Sequence, residues 1–339
     1  MLKIRYLPWE IPQYSCRGGI ADVLDLVKNP LREFGIDLRI GGPRSASDID
    51  WVHTMCKDSR EGFYILDDDW DAGHLSPGAR ELLAEDTYCL GITKGNPYKD
   101  REWYNSPHIH EVSSETYTAT IHYKQFWDLN NSYFEGITKE YEPKLSSSSL
   151  SKIVSTVSYP CYPWIRDLFT KTIEWKEVRE NYLGFVGCLT YPTKEIEIHR
   201  KLALEALRRY HSKHKDKKVY YGIPRLQGSD YYSLLEKTQI SLSPWGWGER
   251  CYRDAESLAL GCVLIKPQTD YIETWPDIYL NGETYVSCKA DFTDLDSIVE
   301  SVIINHEKLN IWRETIKVQL GVVNIARRLS TQLFKLVDT

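Results

Sequence analysis

The chain has 339 residues, with 48 acidic against 42 basic side chains and a net charge of −6, a balance that argues against a general nucleic-acid binder. At this length one hydrophobic core has usually stopped growing, so two domains of roughly 150 residues each are expected, with a cleft between them. Eight scattered cysteines without a CxxC pair or zinc-like spacing read as buried thiols of a reducing, cytoplasmic compartment. The chain's start lacks the apolar core of a signal peptide and no window approaches roughly 18 uninterrupted apolar residues, so no membrane span is expected.

Residues 2–7 alternate like a strand, residues 16–27 form a glycine turn entering an amphipathic helix, and residues 34–39 offer a second strand. In this β-turn-α-β opening Gly18 and Gly19 permit a close backbone approach to a ligand. Asp22 enters the helix near its positive end, either as an ordinary helix-start residue or as a candidate general base.

Residues 63–66 are an apolar strand that runs into Asp67, Asp68, Asp69, Trp70 and Asp71. Clustered carboxylates are hard oxygen ligands suited to Mg²⁺ or Mn²⁺. The same run reads equally as a solvated acidic loop, or as the source of a base such as Asp69. Residues 87–131 are rich in Tyr, Trp and His; such rings either stack on sugars or pack within a sheet, and residues 117–123 alternate as a sheet would. His108 and His110 are spaced to chelate, but no third ligand is visible, so no metal site is expected.

The serine-rich residues 144–152 read as a linker, with the hinge there or nearer residues 159–163 or 175–181. Residues 182–187 form a buried strand ending in glycine, followed by a loop and an amphipathic helix over 194–211. Gly187 and Thr190 in that loop are placed to approach a ligand, and Arg200 or Lys201 to reach its phosphates. A strand at 218–222, a loop carrying Arg225 and a helix at 230–237 come next. Strands alternating with helices imply a parallel sheet that binds ligands at the strands' carboxyl ends.

The densest signal is residues 244–265. A strand at 239–243 leads into Pro244, Gly246, Trp247 and Gly248, then a short helix, then Gly261 and the apolar strand 262–265. Gly246 and Gly248 let the backbone turn sharply against a ligand, and Gly261 is placed to stop the helix in the left-handed conformation. Arg253 and Glu256 share one helix face opposite Ala255, Leu258 and Ala259. They are either a solvated ion pair or a site: the helix N-terminus with Arg250 or Arg253 suits a pyrophosphate, and Glu256 suits ribose hydroxyls.

Pro244, Gly246, the Cys251-Tyr252-Arg253 triplet, Glu256 and Gly261-Cys262 together resemble the C-terminal motif of exostosin-like glycosyltransferases, within the two-domain GT-B group. The resemblance implies an α/β chain of two Rossmann-like domains facing a cleft: residues 1–170 on the acceptor side, 171–315 binding the donor, and a last helix over 316–339 crossing back to the first. It implies transfer of a sugar from a nucleotide-sugar to a hydroxyl of a glycan or other acceptor, with no metal and no cofactor beyond that co-substrate. Gly187, Thr190, Arg225, Pro244, Gly246, Trp247, Gly248, Arg250, Tyr252, Arg253 and Glu256 would serve the donor; Gly18, Gly19, Asp67 and Trp70 the acceptor; Asp22 or Asp69 catalysis. Retaining members place a glutamate eight residues before the second, and this chain has Gly248 there with Glu249 one residue out of register, which favours inversion. Lacking an anchor, the chain resembles a bacterial or viral member, soluble in the cytoplasm. The alternatives are a metal-dependent GT-A-like transferase using Asp67 and Asp69, and a non-catalytic glycan- or nucleotide-binding protein on the same scaffold.

Overall fold

The computed structural model describes residues 2–7, 20–40, 64–67, 75, 77–85, 89–94, 97–105, 108–114, 117–121, 138–139, 144–174, 178–190, 194–223, 226, 228–246, 249–302 and 305–338. The fold is α/β, and among the described residues it has two Rossmann-like parallel sheets and a small antiparallel one. The first sheet is built from β1 (Leu2–Leu7), β2 (Ile36–Ile40), β3 (Tyr64–Asp67), β4 (Cys89–Lys94) and β8 (Ile153–Ser155) in the order β2-β1-β3-β4-β8, every pairing parallel. The helix α1 (Ile20–Glu33) connects β1 to β2, and α2 (Pro77–Glu85) precedes β4. The strands β5 (His108–Ser114), β6 (Tyr117–Ile121) and β7 (Thr138–Lys139) form the antiparallel sheet, so the aromatic and histidine-rich stretch is at least partly sheet.

The expectation of a linker at residues 144–152 is corrected. Ser146 caps a short helix, α3 (Ser147–Ser151), by accepting from the Ser149 amide, and Leu145 and Leu150 are buried in the core beside Ile92 and Ile153. Two leucines spaced across a capped turn suffice to dock a serine-rich segment against β8. The helix α4 (Pro163–Thr170) follows.

The second sheet contains β9 (Asn181–Val186), β10 (Val219–Ile223), β11 (Thr238–Leu242), β12 (Val263–Pro267) and β13 (Tyr285–Cys288), ordered β10-β9-β11-β12-β13 and again parallel throughout. Its connections include α5 (Lys194–Lys213), α6 (Gly228–Glu236) and α7 (Tyr252–Ala259). Every residue of β11 and β12 is buried, as expected of strands covered on both faces. The edge strand β13 has no counterpart in the sequence reading.

Among the described residues three helices follow β13: α8 (Leu295–Ser301), α9 (His306–Gln319) and α10 (Val322–Asp338). The breaks fall where Asn305 caps α9 by accepting from the Lys308 amide, and at the Leu320–Gly321 turn. Ile325, Leu329, Leu333 and Leu336 of α10 share a core with Val23, Leu24, Val27 and Leu31 of α1. The same core includes Ala255, Leu258 and Ala259 of α7, so it spans both parallel sheets' helical layers. A second junction is made by backbone: the Lys99 amide donates to the Tyr271 carbonyl, the Glu273 amide to Pro97 and the Ser158 amide to Trp275, each at 2.8 Å. Glu273 lies between Arg101 at 2.9 Å and Arg328 at 3.4 Å. Among the described residues no helix is long and apolar enough to cross a membrane, and Cys89, Cys161, Cys188, Cys251, Cys262 and Cys288 are all free thiols.

Candidate functional site

Strand order fixes where a ligand can enter. The second sheet starts at β9, adds β10 on one side and then β11 on the other, so the loops leaving β9 and β11 part at their carboxyl ends and open a crevice. One rim carries Gly187 and Thr190, the other Pro244, Gly246 and the approach to α7. The first sheet reverses in the same manner between β1 and β3. Gly18 and Gly19 follow β1 in the chain, Asp67 is the last residue of β3, and Asp69 and Trp70 come just after it. Gly18, Gly19, Asp69, Trp70, Arg225, Trp247 and Gly248 lie outside the described residues. Asp22 lies exposed in the first turn of α1, and Thr190 is also exposed.

Arg253 and Glu256 are not a solvated pair, being only 9% and 8% exposed. The Arg253 guanidinium reaches across the crevice: Nε donates to the Val186 carbonyl at 3.1 Å, and Nη1 to Ser243 Oγ at 3.2 Å and the Pro244 carbonyl at 3.4 Å. Its Nη2 lies 2.9 Å from where a side chain at residue 187 would begin, so any residue but glycine there forces the guanidinium to shift. Glu256 accepts hydrogen bonds from Tyr231 at 3.0 Å and Tyr232 at 3.3 Å, one on each carboxylate oxygen. Burial raises the Glu256 carboxyl above its ordinary range, against the lowering effects of the Tyr231 hydroxyl and the Arg253 charge. Burial also pushes the Tyr231 hydroxyl well up and that of Tyr232 to about 12, so both remain donors.

Asp254, which the sequence reading passed over, organises this corner. It is fully buried and accepts from Ser243 Oγ, from the Cys251 amide at 2.9 Å and from the Tyr279 hydroxyl at 2.6 Å, with the Lys266 ammonium 3.2 Å away. The end of β11, the start of α7 and the middle of β12 therefore meet on one carboxylate. The position of Asp254 is a legible signal, since an acid at the third residue of a helix can accept the amide of the residue that precedes the helix, here Cys251. It also narrows the expected anion site by one donor, because the Cys251 amide is already committed within the protein.

At the other end of α7, Gly261 has φ +75°, the left-handed conformation the sequence predicts. The last carbonyls are taken by arginines: Ala259 by Arg313 at 2.8 Å and Leu260 by Arg179 at 3.0 Å. The helix is thus fixed at both ends.

Arg250, Tyr252 and Glu249 have partners within the protein. The guanidinium of Arg250, 3% exposed, lies 3.8 Å from the centre of the Tyr159 ring. Tyr252 sits among Tyr159 and Trp164 at centroid distances of 4.3 and 5.5 Å while keeping 37% exposure. Glu249 is fully buried, and its charge helps to raise the Tyr271 hydroxyl, itself raised chiefly by burial. His199 was missed altogether: its ring stacks on Trp245 at 3.9 Å and 13°, and its Nδ1 accepts the Trp245 amide at 3.2 Å. Burial, then the charges of Lys266 and Arg200, hold it well below the ordinary histidine value, so it is neutral.

No family model matches the chain, and no curated protein matches it. Among solved structures, TarM is 10% identical over 86% of this chain and 57% of its own, with a TM-score of 0.39, so the chain spans little more than half the length of TarM. An α,α-trehalose-phosphate synthase (UDP-forming) from Burkholderia xenovorans, in complex with glucose-6-phosphate, is 10% identical over 98% of this chain and 100% of its own at 0.48. A UDP-GlcNAc 2-epimerase from Neisseria meningitidis bound to UDP-GlcNAc is 11% identical over 98% and 100% at 0.40. With TM-scores under 0.5, these likenesses decide nothing about the site.

Proposed function

We propose that the chain is a GT-B glycosyltransferase, exostosin-like in its C-terminal motif, that moves a hexosyl or pentosyl group from a nucleotide-sugar to a hydroxyl of a glycan or glycoconjugate, without a metal and with inversion. The observation that carries this reading is the strand reversal between β9 and β11, where a glycine rim, a helix start and a buried arginine converge. Helix starts and arginine are what a diphosphate requires. Glu256 retains lone pairs beyond those used by Tyr231 and Tyr232, which suits it to ribose hydroxyls.

The acceptor is read as approaching the carboxyl ends of β1 and β3, where the first sheet reverses and Asp67 ends β3; Gly18 and Gly19 follow β1 in the chain, and Trp70 follows β3. In the reaction the acceptor oxygen bonds to the anomeric carbon as that carbon's bond to the diphosphate oxygen breaks. Asp22 or Asp69 takes the acceptor proton, and the nucleoside diphosphate leaves with its growing charge facing Arg253 and the start of α7. The burial of Glu249 beside Tyr271 favours a single displacement over a paired-glutamate mechanism. The protein is read as soluble and cytoplasmic, acting on glycan biosynthesis with no nucleic-acid partner.

The test is release of nucleoside diphosphate from a panel of nucleotide-sugars with glycan acceptors in EDTA, with product anomers assigned by NMR. Metal-dependent release would move the chemistry to Asp67 and Asp69, and binding without release would make the protein a non-catalytic binder.

A further inference from the structure

Arg200 of α5 is 3% exposed and makes the same kind of span as Arg253. Its Nη1 donates to the Cys188 carbonyl on the β9 rim at 2.6 Å, and its Nε to the Trp245 carbonyl on the β11 rim at 2.9 Å. The two guanidinium groups lie 5.8 Å and 4.7 Å from the centre of the Phe185 ring. His199, the preceding residue, accepts the Trp245 amide at 3.2 Å and stacks on its indole. Consecutive residues of one helix therefore hold both backbone groups of Trp245 as the loop leaves β11.

We propose that Arg200 is a positioning residue that sets the spacing of the two rims and acts on the ligand through them. Two of its donors are committed to backbone carbonyls, one on each rim. Only a planar fork presents two donors along separate directions to acceptors on different loops; a lysine ammonium offers its donors from one point. The inference rests on the proposed donor site, because rim spacing matters to a ligand that bridges both rims. A residue acting in this manner supports ground state and transition state alike, so its loss raises the donor KM and spares kcat.

The experiment titrates UDP, GDP and ADP calorimetrically into the wild type, Arg200→Lys and Arg200→Ala, measures donor KM and kcat, and repeats Arg200→Ala with millimolar guanidinium chloride against sodium chloride of equal ionic strength. Affinity is expected to fall and KM to rise by about tenfold in both variants, with kcat held within about twofold. Guanidinium ions, and not sodium, should restore Arg200→Ala. Wild-type affinity in Arg200→Lys overturns the proposal, as does a fall in kcat at constant KM or a failure of rescue. Where Arg200→Ala does not fold, Arg200→Lys keeps the charge and stem and decides the matter alone. A wild type that binds none of the three nucleotides removes the donor-site reading and this inference with it, whereas wild-type binding with indifferent variants removes only the inference.

Discussion

Asp254 and Lys266 lie 3.2 Å apart with neither side chain exposed to solvent. A carboxylate at the third position of α7 and an ammonium on the neighbouring strand thereby fix the helix that carries Arg253 and Glu256. The pair is a determinant of site geometry first, because buried ion pairs often contribute little net stability.

Breaking one half of that pair leaves the other charge buried. Asp254→Asn and Lys266→Met are each expected to cost about 3–5 kcal/mol. The double variant should cost clearly less than their sum, since neither charge is then stranded. Urea denaturation of the four proteins measures the coupling, and additive losses would show that the two groups do not depend on each other.

Glu256 gives two opposite pH trends. Its folded-state carboxyl titrates above the unfolded value, so its contribution to stability is fully present below about pH 4.3 and is lost as pH rises through the raised value. Donor affinity should run the other way, rising as the carboxylate forms and can accept ribose hydroxyls. Glu256→Gln is expected to flatten the stability loss and the affinity gain together. Thermal melts and nucleotide titrations across the acidic range check both, and unchanged profiles would remove Glu256 from the donor site.

A methyl group at residue 187 would meet Arg253 Nη2 at 2.9 Å and the Phe185 ring at 3.1 Å. Gly187→Ala should displace the guanidinium, costing about 1–3 kcal/mol of stability and weakening donor binding more than acceptor binding. Separate KM values for the two substrates test it; equal effects would place the glycine outside the donor rim.

Asp22 and Asp69 compete for one role. Whichever is the base, its Asn variant should lose about 10²–10⁴-fold in kcat while nucleotide affinity stays unchanged, and the other should retain activity. A kcat preserved in both variants would send the search elsewhere on the first sheet.

Much of the framework was legible in the sequence because its signals are local. Apolar strands ending in glycine, the helix read over 194–211 and found at Lys194–Lys213, and the left-handed Gly261 follow from periodicity and backbone sterics. Long-range commitments were not. Nothing adjacent to Arg250 in sequence predicts a stack on Tyr159, and nothing near residues 271–275 predicts their pairing with residues 97–99. The helix over Ser147–Ser151 was hidden because serine-rich composition masked two buried leucines. His199 was passed over because its partner, Trp245, lies 46 residues away.

The central claim is that a nucleoside diphosphate binds at the β9–β11 crevice beside Arg253. Its most direct test is isothermal titration of UDP, GDP, ADP and dTDP, in EDTA, into the wild type and Arg253→Lys, with folding of both verified by thermal melts. The account predicts saturable binding of at least one nucleotide by the wild type and a loss of about tenfold or more in the variant. Absence of binding by the folded wild type, or equal affinity in the two proteins, would contradict it.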